Sequence, residues 1–160
     1  MDVFVSQYEW IRRTRETLFR YCETLAYEDY VRELETFGGD SIRNLHAHVA
    51  DCYQTWLGNR ALGHKLPEIK PQTINCVQDM RQIFAKTDDL VLEFLQEYKG
   101  NWERSIQITR NGECWKITAL WLFTHTATHE FHHKGQIVKI GRQLGYIPPD
   151  TDLIEEFIPN

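Results

Sequence analysis

The sequence predicts an all-α protein: an antiparallel four-helix bundle with a small β-hairpin before the last helix, in one domain over residues 1–160. Three observations carry that prediction. Four long segments repeat apolar residues at three- and four-residue steps, the rhythm of a helix with one buried face. A single Asn111-Gly112 pair separates two short alternating runs, which is a hairpin signal because both turn residues must tolerate positive φ. No internal repeat, low-complexity stretch or change of composition divides the chain. At 160 residues it is long enough to bury a core without disulfides or a structural metal.

The first helix is expected from Phe4 to about Leu25, with Phe4, Tyr8, Ile11, Leu18, Cys22 and Leu25 inward and the rhythm broken once by Arg15. An arginine on that face either snorkels to the rim or meets an anionic substrate group. Tyr27 to Gly39 is polar and ends in Gly38-Gly39, a connection. Asp40 or Ser41 then serves as N-cap to a second helix whose stripe is Ile42, Leu45, Val49, Cys52 and Trp56. His46 and His48 flank this stripe on opposite sides, and periodicity does not say which one faces the core. His48 stands near Asp51 and Cys52 on one side of the helix.

Gly58 to Thr73 contains Gly58, Gly63, Pro67 and Pro71 without a clean period and reads as a loop. A third helix is expected from roughly Ile74 to Tyr98, ended by Lys99-Gly100-Asn101. Residues 105–110 and 113–118 form the hairpin. The last helix is expected from about Thr118 to Leu144, with Gly145 as its C-cap before Pro148-Pro149, and an irregular tail packs across the bundle.

The chemistry concentrates in the last helix, where His125, His129, His132 and His133 lie within nine residues. His125, His129 and His133 follow at four-residue steps, so they share a face and interrupt the stripe of Leu122, Ile137, Ile140 and Leu144. That places the imidazoles inward. Buried imidazoles must be hydrogen-bonded or bound to something. Two of them one turn apart can share a divalent ion, and a bundle supplies further ligands from a facing helix.

Other functions are excluded by composition. A net charge of −5 with no Lys/Arg cluster argues against a nucleic-acid partner. No run of 18 apolar residues and no leader-like N-terminus occur, which predicts a cytoplasmic protein without a membrane partner. Cys22, Cys52, Cys76 and Cys114 are far apart, as expected of reduced and mostly buried thiols.

His48-Val49-Ala50-Asp51, together with His129-Glu130-Phe131-His132-His133-Lys134-Gly135-Gln136-Ile137 and Leu144-Gly145, resembles the DinB/YfiT-like family of metal-binding four-helix bundles. The similarity spans essentially the whole chain. It implies a three-histidine site of His48, His129 and His133, choosing His48 over His46 and the 129/133 pair over 125/129. Asp51 and Glu130 would then support the ligands or move a proton. His125 would sit in the pocket and His132 at its edge. Lys134 stands where the family commonly has arginine, keeping the charge but not a bidentate anion fork. Arg15 and Lys134 are the candidates for contacting substrate.

Three protein ligands leave a position open, as in a catalytic site. The resemblance implies one divalent ion, zinc or nickel first and iron as a further occupant. It also implies a homodimer and a low-molecular-weight thiol such as bacillithiol, mycothiol or glutathione as cosubstrate, hence a thiol S-transferase. Two alternatives use the same residues: hydrolysis by a metal-activated water, and a non-catalytic, stress-related metal-binding module that dimerises through exposed tryptophans. Cys52 either packs as a buried thiol or closes the site as a fourth ligand.

Overall fold

In the computed structural model, which describes residues 2–153 apart from Asn111, the four-helix bundle is present with its hairpin. Helix α1 (Val3–Cys22) starts at Asp2, whose carboxylate accepts from the Phe4 amide at 3.0 Å. A short α2 (Tyr27–Tyr30) and a single 3₁₀ turn occupy the stretch expected as a plain connection. Ser41 is the cap of α3 (Ile42–Tyr53), accepting from the Asn44 amide at 3.1 Å. Helix α4 spans Val77–Glu97 and α5 spans Ala119–Gln143, the latter capped by the Thr118 hydroxyl.

Strands β1 (Ser105–Arg110) and β2 (Glu113–Thr118) pair antiparallel from Ser105↔Thr118 to Arg110↔Glu113. Gly112 has φ 79°, the left-handed conformation the turn requires, while Asn111 lies outside the described residues. Ile106 and Ile108 anchor the ribbon in the core. The beginning of the tail is irregular, with Tyr146 donating to Asp29 at 2.7 Å; residues 154–160 of the expected tail lie outside the described set.

Contacts fix the helix directions. Tyr8 and Arg12 reach Asp88 while Glu16 and Glu23 reach Arg81, so α1 and α4 are antiparallel. Phe4 meets Phe123 and Arg15 meets Glu130, so α1 and α5 run the same way. His48 meets His129 whereas Trp56 meets Trp121, so α3 and α5 are antiparallel. The bundle is two antiparallel pairs, and α3 must run parallel to α4. A return strap is therefore needed between them. Helix α4, of 21 residues, is about 31 Å long at 1.5 Å per residue, a span that the chain from Gly63 to Cys76 covers when extended at about 3.3 Å per residue.

Three boundaries differ from expectation, the first being that α1 ends at Cys22 rather than near Leu25. The second helix does not stop near Trp56 but continues as a π-helix over Gln54–Leu62, ended by Gly63 at φ 75°. Gly58 reads as a breaker in sequence, yet it is buried, and a Cβ there would lie 2.9 Å from Leu66 and 3.2 Å from Leu90. It is a close-packing glycine inside the helix. The third helix starts at Val77 rather than Ile74, because Pro71–Thr73 forms its own 3₁₀ turn.

Candidate metal centre

Helix α5 builds half of the site. Its buried face runs through Leu122, Phe123, Thr126, Ala127, Glu130, His133, Lys134, Ile137 and Ile140. The centre of that face passes through Thr126 and Glu130, so His125 and His129 sit one residue, or about 100°, to the side facing α3. His133 is buried, His129 half-buried and His48 exposed. The inward orientation expected for the whole histidine stripe is thus corrected: the stripe runs along the border between core and solvent, and the site opens outward.

There the structure brings His48, His129 and His133 together, with one ligating nitrogen from each within 4.8 Å of the others. The Nε2 atoms of His48 and His129 are 3.1 Å apart. Two nitrogens each bound at 2.0–2.1 Å to one ion at angles between 90° and tetrahedral would lie about 3 Å apart, so the pair fits a shared metal. Burial, then the neighbouring imidazoles, depress the pKa of His129 to about 4, and burial also lowers that of His133. Both rings are neutral at physiological pH, the form that ligates. Among the described residues no fourth His, Cys, Asp or Glu joins this group.

The residue that orients a ligand is Gln136. Its Oε1 lies 2.5 Å from His133 Nδ1, which fixes Nδ1 as donor and leaves Nε2 for the ion. The i, i+3 spacing on a helix was the available signal, but the amide was masked by the carboxylates around it.

Those carboxylates are elsewhere. Glu130, expected beside the ligands, is 3% exposed and turned into the core, where its oxygens accept from Arg15 Nε at 2.8 Å, Arg15 Nη2 at 2.9 Å and Tyr53 Oη at 2.8 Å. Burial alone would raise its pKa; Arg15 outweighs that and holds it below the usual carboxylate range. Asp51 accepts from the Ile69 amide at 3.1 Å and pins the return strap. The partners of both carboxylates thus lie away from the site histidines.

The two substrate-contact candidates are also in the core. Arg15 is 3% exposed and adds a 2.7 Å bond to Asp88. Lys134 donates to Thr14 Oγ1 and lies 4.1 Å from the Phe131 ring centroid. Burial lowers its pKa to about 8 despite Glu130 nearby. Arg15, Glu130 and Lys134 together stitch α1 to α5.

His46 is the core member of the second helix's histidine pair, 2% exposed against Phe19 and Tyr30, with burial depressing its pKa to about 3. His125 stacks on Trp121, and His132 is exposed, 5.0 Å from His133. Cys52 is buried outside the group, and burial pushes its thiol up to about 12. Cys76 and Cys114 are exposed, so only half the thiols are buried as expected.

Fold and site together define a helical-bundle protein with a surface-opening three-histidine centre suited to a metal ion. The chain matches the DinB family over residues 1–158 and belongs to that family. It is 26% identical over 159 residues to Protein DinB of Bacillus subtilis (strain 168), covering 94% of this chain and 91% of that protein. Among the described residues no helix is long and apolar enough to cross a membrane.

Proposed function

We propose that this chain is a divalent-metal-dependent enzyme that activates a small thiol toward an electrophile, a low-molecular-weight-thiol S-transferase. The observation that carries the reading is three imidazole nitrogens within 4.8 Å, from an exposed, a half-buried and a buried histidine, with no fourth protein ligand in the group among the described residues. A divalent ion held there supplies Lewis acidity that favours the thiolate of a bound thiol at neutral pH. The chain's own residues supply the rest. His129 and His133 present neutral donors beside His48, and Gln136 holds the tautomer of His133. The exposed edge at His48 leaves an approach for two reactants.

Zinc and nickel both suit an all-imidazole donor set, and iron is a further occupant. The reading also carries a homodimer, which rests on family resemblance. The test is a screen of small thiols against an electrophilic dye, with metal-loaded and metal-stripped protein. Expected is turnover with at least one thiol only when metal is present. Absence of metal-dependent turnover with every thiol would overturn the transferase reading.

A further inference from the structure

The ladder that carries the ligands continues beyond them. Along α5, Trp121, His125, His129 and His133 are spaced by four, and His48 and Trp56 are eight apart on the facing helix. Because α3 and α5 are antiparallel, the tryptophans meet on the side of the site away from His133. The His125 and His129 ring centroids are 5.7 Å apart. The His125 ring then stacks on Trp121, with centroids 4.9 Å apart and planes within 7°. Trp56 stands edge-on to both, 4.9 Å from His125 and 5.7 Å from Trp121.

Two features separate this cluster from ordinary core packing. First, Trp121 remains 45% exposed and lies outside the buried core, beside a centre that is itself open. Second, Trp56 is carried by the π-helical segment. Eight α-helical steps of 100° would carry Trp56 roughly 80° round from His48. A π-helix closes i→i+5 bonds, so each residue turns through less, and Trp56 comes back toward the face of His48. Such segments are rare and are frequently found at functional sites. The Arg60 guanidinium, 4.0 Å from the Trp56 ring centroid, backs the ring.

We infer that Trp56, Trp121 and His125 form a stacking platform for a planar aromatic ring, and that the electrophile used at the metal centre is an aryl compound bearing an electron-withdrawing group. This deepens the proposed function and rests on it only for the reacting end of the molecule. An aromatic platform favours a flat π-system over a saturated ring of equal size through offset and edge-to-face contacts. The electron-rich indole faces favour a ring that its substituent has made electron-poor.

The test uses the full-length protein and a probe that cannot react, 4-nitrobenzyl alcohol, with cyclohexylmethanol as its saturated counterpart. The five indole N–H signals are followed in an NMR titration, with and without metal. Expected are saturable shifts of the Trp56 and Trp121 signals alone with the aryl probe. Cyclohexylmethanol should bind about tenfold more weakly, and Trp121→Ala should weaken the aryl probe by a similar factor, the upper range for one aromatic pair. Trp121→Phe, which keeps a ring, should retain binding. Equal binding of the saturated probe, shifts confined to other tryptophans, or unchanged affinity in Trp121→Ala would each overturn the inference. The titration needs no turnover, so its failure leaves the thiol chemistry standing, and a failed thiol screen leaves the platform standing.

Discussion

Glu130 is the position where two roles give opposite predictions, and Glu130→Gln decides between them. The substitution keeps the volume but removes the charge that faces Arg15 at 2.8 and 2.9 Å in a fully buried setting, and it turns one acceptor into an NH₂ pointing at guanidinium or phenol donors. Breaking a buried ion pair from one side costs about 3–5 kcal/mol. Asp88 remains 2.7 Å from Arg15 and still compensates the cation, which places the loss at the lower end, about 3 kcal/mol. For a chain of this size that lowers the melting temperature by about 6–12 °C. Because the carboxylate is bonded to Arg15 and Tyr53 rather than to a site histidine, metal affinity should stay nearly unchanged. Calorimetric melting of the metal-free protein, paired with metal titration, reads both quantities. A tenfold loss of metal affinity with an unchanged melting temperature would refute the core assignment and return Glu130 to the site.

The same pair sets a pH dependence. A folded pKa held below the unfolded value means that Glu130 stabilises fully above about pH 4.5, and this contribution fades as pH falls through the depressed folded value. The stability gap between wild type and Glu130→Gln should be flat near neutrality and narrow under acid; a gap that widens on acidification would contradict the sign. Gln136→Leu should cost about 10–100-fold in metal affinity with little change in the melting temperature of the metal-free protein, since it releases only the Nδ1 side of His133; unchanged affinity would remove Gln136 from that role. Iodoacetamide at pH 7.5 should label Cys76 and Cys114 and spare Cys22 and Cys52, whose thiols are buried and held protonated. Mass spectrometry showing rapid native labelling of Cys52 would contradict its burial.

The elements legible in the sequence were those with local causes. Apolar spacing placed the four long helices, and Asn-Gly placed the hairpin. At the helix ends, Ser41 and Gly145 act through contacts a few residues away. What was not legible depends on partners distant in sequence. Arg15 breaks an apolar stripe because its counterion stands 115 residues later, and nothing near residue 15 announces this. Spacing puts Asp51 beside His48, whereas its carboxylate serves a strap 18 residues on. The π-helix was hidden behind Gly58, a residue type that marks both loops and close helix packing. Spacing alone also left His46 and His48 equivalent, and only family resemblance separated them, because one helical turn offers two flanks and the identity of the facing helix decides between them.

The most direct measurement is a Co²⁺ or Zn²⁺ titration of metal-stripped protein, compared across wild type, His48→Ala, His129→Ala, His133→Ala and Cys52→Ala. Predicted is one ion per chain for wild type and Cys52→Ala, stoichiometric uptake lost in each histidine variant, and no thiolate charge-transfer band in the Co²⁺ spectrum. Full uptake by all three histidine variants, or loss of the ion with Cys52, would contradict the three-histidine centre.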